Sequence, residues 1–141
     1  MYNNILLTVD LNEESSWTKA LPVAVEYCKA FGAHLHVMSV IPDFGMPIVA
    51  SYFPEGFAKK ALAESKKHLD TFVKDKVSED VHAETIVRQG TVYEVILAVA
   101  DGINADLIVM ASHRPELKDY LLGPNAARVV RHADQSVLVV R

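Results

Sequence analysis

Short apolar runs alternate along the chain with longer segments that carry an apolar stripe. The runs at 5–9 and 106–111 are nearly continuous, which is typical of strands buried on both faces of a parallel sheet. Three further segments, 35–41, 81–88 and 137–140, have the length and apolar content of strands. The pattern therefore predicts five strands.

Apolar residues at three- and four-residue spacing predict a helix between each pair of successive strands. The first stripe runs from Leu21 to Phe31, and the second from Ala58 to Phe72. On the second helix, Asp70 and Lys74 have the spacing of an ion pair. The third stripe spans 92–99, and the fourth helix is expected to begin at Gly123-Pro124, where proline is well tolerated.

Polar residues near the predicted helix starts are candidate caps. Asn12 and Ser15 or Ser16 precede the first helix, and Thr91 with Glu94 has capping-box spacing before the third. Pro22 lies inside the first helix, where it either kinks the helix or marks its first regular turn.

Strict alternation of strands and helices favours one fold class. It predicts a single doubly wound, Rossmann-like α/β domain over residues 1–141, with a five-stranded parallel sheet, helices on both faces and right-handed crossovers. No internal repeat or domain boundary interrupts this order.

Composition and charge narrow the class of partner. A formal net charge of −4 argues against a dedicated nucleic-acid binder and against an anionic membrane surface. No apolar run approaches the length of a membrane span, and residues 1–4 lack the features of a secretory signal. The single cysteine, Cys28, lies on an apolar stripe and is expected to be an inert core thiol. A cytoplasmic location is therefore expected.

The fold class predicts where a ligand would bind. In open parallel sheets, ligands bind at the carboxyl ends of the strands, near the point where the strand order reverses. This places Asp10, Val40, Arg88, Met110 and Ala111 at the candidate site. The chain carries neither of the two common glycine-rich phosphate motifs, Gly-x-x-x-x-Gly-Lys-Ser/Thr and Gly-x-Gly-x-x-Gly.

Polar groups beyond the fourth strand suit an anionic ligand. A helix N-terminus offers free N–H donors and a partial positive charge, and an arginine side chain adds a planar fork that matches phosphate oxygens. The candidate phosphate-binding residues are Ser112, His113, Arg114, Gly123, Pro124 and Asn125.

The residues suggest two other chemistries. Asp10 at the end of the first strand could be a phospho-acceptor, but the third strand ends in 88–90, Arg-Gln-Gly, without a partner acid, and a turn role for Asp10 stays open. His34 and His36 share one strand face, yet no third ligand has a supporting spacing, so no metal site is predicted there.

Five segments give the chain a family resemblance. It resembles the universal stress protein family along essentially its whole length, and its sequence motifs are most similar to those of small enterobacterial-type members. The segments that carry the resemblance are 5–10, 40–42, 108–114, 121–133 and 137–141.

The nucleotide-binding branch of that family carries Gly-x-x-Gly, nine residues, and then Gly-Ser or Gly-Thr. Here Ala111 and Arg114 stand at the first two glycines, and eight residues separate Arg114 from Gly123. Pro124 replaces the hydroxyl residue and removes both a hydroxyl and a backbone N–H.

The resemblance implies a pocket for ATP or another adenine nucleotide. Asp10 would lie near the ribose or near a phosphate bridged by Mg²⁺, and the backbone of Val40 would meet the adenine. The further residues assigned to the pocket are Thr8, Val9, Met110 and Ala111.

The resemblance also implies a role and an assembly. The role is a nucleotide-binding regulatory module in the stress response, and the assembly is a homodimer through Val137, Leu138, Val139 and Val140. A nucleotide-free dimeric interaction protein and a slow ATP hydrolase are the alternatives. No general base distinguishes itself in the sequence, so enzyme activity stays open.

Overall fold

Parallel strands and helices alternate through the residues that the computed structural model describes, which are 1–42, 56–112 and 123–141. The strands are β1 (Asn4–Thr8), β2 (His34–Pro42), β3 (Ala83–Gly90), β4 (Leu107–Ala111) and β5 (Ser136–Val140). The helices are α1 (Ala20–Phe31), α2 (Phe57–Lys76), α3 (Val92–Gly102) and α4 (Pro124–His132), and a short 3₁₀ turn spans Glu14–Ser16.

The strands form one parallel sheet in the order β3-β2-β1-β4-β5. Central β1 pairs with β2 in the register Leu6 to His36, and with β4 in the register Leu6 to Ile108. β3 and β5 are the edges of this sheet. The five-stranded parallel sheet predicted from the apolar runs is therefore confirmed.

Two apolar clusters sandwich the sheet. Ile5 and Leu7 of β1 pack in the cluster that includes α1 and α2, whereas Leu6 packs in the cluster that includes α3 and α4. All three side chains are fully buried. Alternate residues of one strand thus face opposite layers, which is the doubly wound arrangement expected.

The start of α1 differs from the prediction. The helix begins at Ala20, and its N-cap is Lys19, which makes no side-chain capping bond. Ser16 instead lies in the 3₁₀ turn and donates its hydroxyl to the carbonyl of Glu13, so it does not cap α1. Pro22 is the third residue of α1, where its missing N–H is harmless, and so it marks the first turn.

Two predicted side-chain interactions, the Thr91 cap and the pair of Asp70 with Lys74, are not found in the structure. Thr91 is the N-cap of α3 but makes no side-chain capping bond. Asp70 pairs with Lys66 at 2.8 Å, not with Lys74, and Thr85 of β3 hydrogen-bonds both Lys66 and Asp70. The hydrogen bonds from Lys66 and Thr85 hold the pKa of Asp70 below its usual value.

Cys28 lies in the core as expected. Its side chain belongs to the cluster under α1 and is 2% exposed. Burial raises the pKa of the thiol to about 11.

The described ranges contain no candidate for a membrane-spanning helix. None of the helices there combines the length and apolar content that a bilayer span requires.

Gly90 ends β3 in a conformation that few other residues adopt. Its φ is 147°, in a region that favours glycine. A Cβ atom at Gly90 would lie 2.7 Å from Cγ2 of Val95, which is too close for two carbon atoms. Val95 lies on α3, where a β-branched side chain has little rotamer freedom.

Gly90→Ala is therefore expected to lower the free energy of unfolding by about 1–3 kcal/mol, from backbone strain and steric overlap together. Gly102→Ala is the matched control, because a Cβ there meets nothing within 4 Å. It should change stability by less than about 1 kcal/mol, on the stabilising side. Urea unfolding of both variants measures the difference, and equal effects would contradict the assignment of strain to Gly90.

Candidate functional site

The strand order reverses between β1 and β4. From β1 the chain continues to β2 on one side of the sheet, whereas β4 leads to β5 on the other side. A reversal of this kind leaves a crevice at the carboxyl ends of the two central strands, because their outgoing connections diverge. The candidate site is thus the edge of the sheet where β1 and β4 end.

The predicted strand-end residues divide between the two faces. Val40 and Met110 pack in the cluster of α3 and α4, and Thr8 shares that face because it is in register with Met38. Val9 and Ala111 pack in the cluster of α1 and α2. The face of Thr8, Val40 and Met110 is therefore the one that can line a pocket under the start of α4.

Asp10 is held in a tight turn just beyond β1. Its backbone N–H donates to Oγ of Ser16 at 2.8 Å, and its carbonyl accepts the Ser16 hydroxyl at 2.8 Å. Its carboxylate Oδ1 accepts the N–H of Asn12 at 3.0 Å. This is the turn role that the sequence left open, and it leaves the exposed carboxylate at the mouth of the crevice.

The end of β4 meets the start of α4. The N–H of Ser112 donates to the carbonyl of Val140 at 3.0 Å, which continues the pairing with β5. The Cβ position of Gly123 lies 3.8 Å from the carbonyl oxygen of Ser112. The helix therefore begins against the carboxyl end of β4, although ten residues separate the two in sequence.

The first turn of α4 is built without a side-chain cap. Gly123 is the N-cap in extended conformation, Pro124 is the first helical residue, and the N–H of Ala127 closes the turn on the Gly123 carbonyl at 2.9 Å. The next two N–H groups, of Asn125 and Ala126, precede the first intrahelical bond. They point along the helix axis toward its N-terminus, where an anion is favoured.

Other predicted residues fall elsewhere. His113 and Arg114 lie outside the described residues. Arg88 lies near the end of the edge strand β3. Its side chain folds back on the strand, since its Nη1 donates to the carbonyl of the preceding residue, Val87, at 3.0 Å. Arg88 is therefore not part of the crevice between β1 and β4.

Ser16 is the residue of the site that sequence reasoning misread as a helix cap. Its hydroxyl organises Asp10 through two hydrogen bonds. The only signal in the sequence was a serine close after a strand end, which fits a cap equally well.

Comparison with known proteins identifies the group to which the chain belongs. The model of the universal stress protein family matches residues 1–141. The chain is a universal stress protein family member. Universal stress protein G of Salmonella typhimurium is 31% identical over 143 residues, with both chains fully covered. The family resemblance inferred from the five segments is thus confirmed.

Solved structures of universal stress proteins share the fold. MJ0577 of Methanocaldococcus jannaschii superposes with a TM-score of 0.75 at 27% identity, covering 99% of this chain and 96% of that one. A universal stress protein in complex with cAMP gives a TM-score of 0.60 at 23% identity, covering 99% and 97%. A third, from Archaeoglobus fulgidus in complex with dAMP, gives 0.63 at 18% identity, covering 99% and 98%.

Proposed function

We propose that this universal stress protein family member binds an adenine nucleotide where β1 and β4 end, and that it acts as a regulatory module of the stress response in the cytoplasm. The observation that carries the proposal is the uncapped start of α4 against Ser112, at the reversal point of the sheet. Free N–H donors at such a place favour a phosphate group.

Each part of the crevice suits one part of a nucleotide. The face of Thr8, Val40 and Met110 offers an apolar wall and strand-end backbone groups for the flat base. The N–H groups of Asn125 and Ala126 suit the phosphates. The exposed Asp10 carboxylate suits the ribose hydroxyls, because carboxylates accept hydrogen bonds from hydroxyl groups.

The ligand class has support from relatives. The two ligands named above for structural neighbours, cAMP and dAMP, both contain adenine and one phosphate. We extend this class to ATP in the present chain, with Arg114 as a charged phosphate contact by sequence. Mg²⁺ would be held mainly by the phosphates, because no three ligating side chains among the described residues are placed to hold a metal ion and Asp10 offers a single carboxylate.

Two experiments test the proposal directly. Freshly purified protein is denatured and the released small molecules are identified by mass spectrometry, and calorimetry measures the affinity of stripped protein for ATP, AMP and adenosine. We expect an adenine nucleotide in the first experiment and tighter binding of ATP than of adenosine in the second. Absence of both would favour a nucleotide-free interaction protein, and turnover of ATP during the titration would favour a slow hydrolase.

Pro124 lowers the phosphate affinity of the helix start, because it lacks an N–H and a hydroxyl. Pro124→Ser is expected to restore donors that are each worth about 1.5–3 kcal/mol toward a charged group. ATP should therefore bind at least about tenfold more tightly, since 1.4 kcal/mol corresponds to a factor of ten and one restored donor already exceeds it, while adenosine should bind as before. Calorimetry with both ligands measures the change.

Pro22→Ser is the control for this variant, because Pro22 also lies in the first turn of a helix but belongs to α1. It should leave both affinities unchanged. If Pro124→Ser also leaves ATP affinity unaltered, the start of α4 is not a phosphate site.

The proposed assembly is a homodimer through β5. This strand is an edge of the sheet, and Val137, Leu138, Val139 and Val140 are all only half-buried. An apolar edge with unpaired backbone groups favours pairing with another strand. Light scattering should give twice the chain mass of 15.6 kDa, and a monomer at tens of micromolar would contradict the assembly.

A further inference from the structure

Three imidazoles and one carboxylate meet where β2 and β3 begin, at the end of the sheet opposite the proposed nucleotide site. The His36 of β2 is in register with Glu84 of β3. The rings of His34 and His82 are in contact, with centroids 4.6 Å apart and planes tilted by 49°. We call this group the histidine cluster; it consists of His34, His36, His82 and Glu84.

One carboxylate serves two imidazoles in this cluster. Oε2 of Glu84 lies 3.6 Å from Nδ1 of His36, and Oε1 lies 3.7 Å from Nε2 of His82. Glu84 and His82 are exposed, with 60% and 62% of their side-chain surface accessible. His36 differs from both, because it is the one polar residue that is buried among the described residues, at 8% exposure.

The hydrogen bonds of His36 define where a further proton would go. Asn4 donates its Nδ2 to the carbonyl of Asn104 at 3.4 Å, which turns its Oδ1 toward Nε2 of His36, also at 3.4 Å. With the Asn4 amide in this orientation, Nε2 carries the hydrogen in the neutral ring. Nδ1 is buried and has no hydrogen-bond partner in the described part of the chain, so the next proton binds there, facing Glu84.

Other charged groups near the cluster are already engaged or lie at its rim. Asp106 accepts the backbone N–H groups of Asn3 and Asn4, at 2.8 and 3.1 Å. Asp101, in the last turn of α3, accepts from Gln135 at 2.8 Å. Lys29 of α1 and Asp80 line a cavity of about 310 Å³ with His34 and His82, and Lys66 and Lys74 of α2 line a groove with Glu84.

Protonation of the three rings reverses the charge of the cluster. With neutral imidazoles the cluster carries one net negative charge, from Glu84, and with all three protonated it carries two net positive charges. β3 is an edge strand whose sheet partner is β2 alone, so repulsion between the starts of these strands acts on the more weakly held of the two.

We propose that the histidine cluster is a proton-responsive element that loosens β3 from β2 as the pH falls below neutral. This proposal does not depend on nucleotide binding. It would give the fold a local response to acid at the edge opposite the proposed dimer strand.

The direction of the effect agrees with the environment of His36. Burial is the largest cause that lowers the pKa of His36; Glu84 opposes it, while His34 and His82 lower the pKa further. The unfolded chain, with the ordinary pKa of 6.5, therefore binds the proton more tightly than the folded chain. Stability is full above pH 6.5 and is lost as the pH falls through the folded-state pKa of His36.

The test compares urea unfolding of nucleotide-free protein at pH 7.5 and pH 5.5, followed by fluorescence of Trp17, the only tryptophan. For wild type we expect His36 to reduce the folding equilibrium constant by up to about tenfold between these two pH values. In His36→Gln this part of the pH dependence should disappear. His68→Gln, at an exposed histidine of α2, should keep the wild-type pH dependence.

Glu84→Gln is a second, independent variant for this test, and because Glu84 is exposed the substitution should not impair folding. Removing the carboxylate removes the group that raises the pKa of His36, so the acid loss should become steeper than in wild type. Amide exchange should show that protection of β3 falls more at pH 5.5 than protection of β5. Equal pH dependence in wild type and both variants, or uniform loss of protection across the sheet, would overturn the proposal.

Discussion

Burial of β1 on both of its faces is the constraint on which the arrangement depends. Ile5, Leu6 and Leu7 are completely removed from solvent, and each such side chain contributes about 1.5–3 kcal/mol of hydrophobic free energy. Because successive residues face opposite layers, the strand stabilises both helical layers at once. Polar substitutions at two successive positions of β1 would therefore disturb both cores. The central place of β1 in the sheet sets its carboxyl end beside that of β4.

The same constraint explains how much of the fold was predictable. A strand with no solvent face is apolar wherever it is fully buried, so the centre of β1 and all of β4 were evident as continuous apolar runs. The beginning of α1 was not evident. Ser16 makes its hydrogen bonds to Asp10, six residues back, and this depends on a turn whose geometry no local pattern encodes. Likewise Thr85 of β3 hydrogen-bonds both Lys66 and Asp70 of α2, and helical spacing alone cannot anticipate a contact between two elements.

The candidate site was predictable in position but not in detail. Parallel topology alone places Asp10, Val40 and Met110 at one edge, because all parallel strands end on the same side. Which of the residues face α4 depends on strand register, which only the paired strands define. The contact between Gly123 and Ser112 depends on the path of the chain between them, and the apolar pattern carries no information about that path.

The buried thiol of Cys28 has a consequence for its reaction with oxidants and alkylating agents. Oxidants and alkylating agents react with thiolates, and a pKa of about 11 leaves only about one Cys28 in ten thousand as thiolate at pH 7. Because the side chain is also buried in the core cluster of α1, the only thiol of the chain is protected both by its raised pKa and by its burial. Cys28 also lines the cavity of about 310 Å³ beside His34 and His82, so its slow modification by a maleimide would record how often the walls of this cavity open while the protein remains otherwise intact.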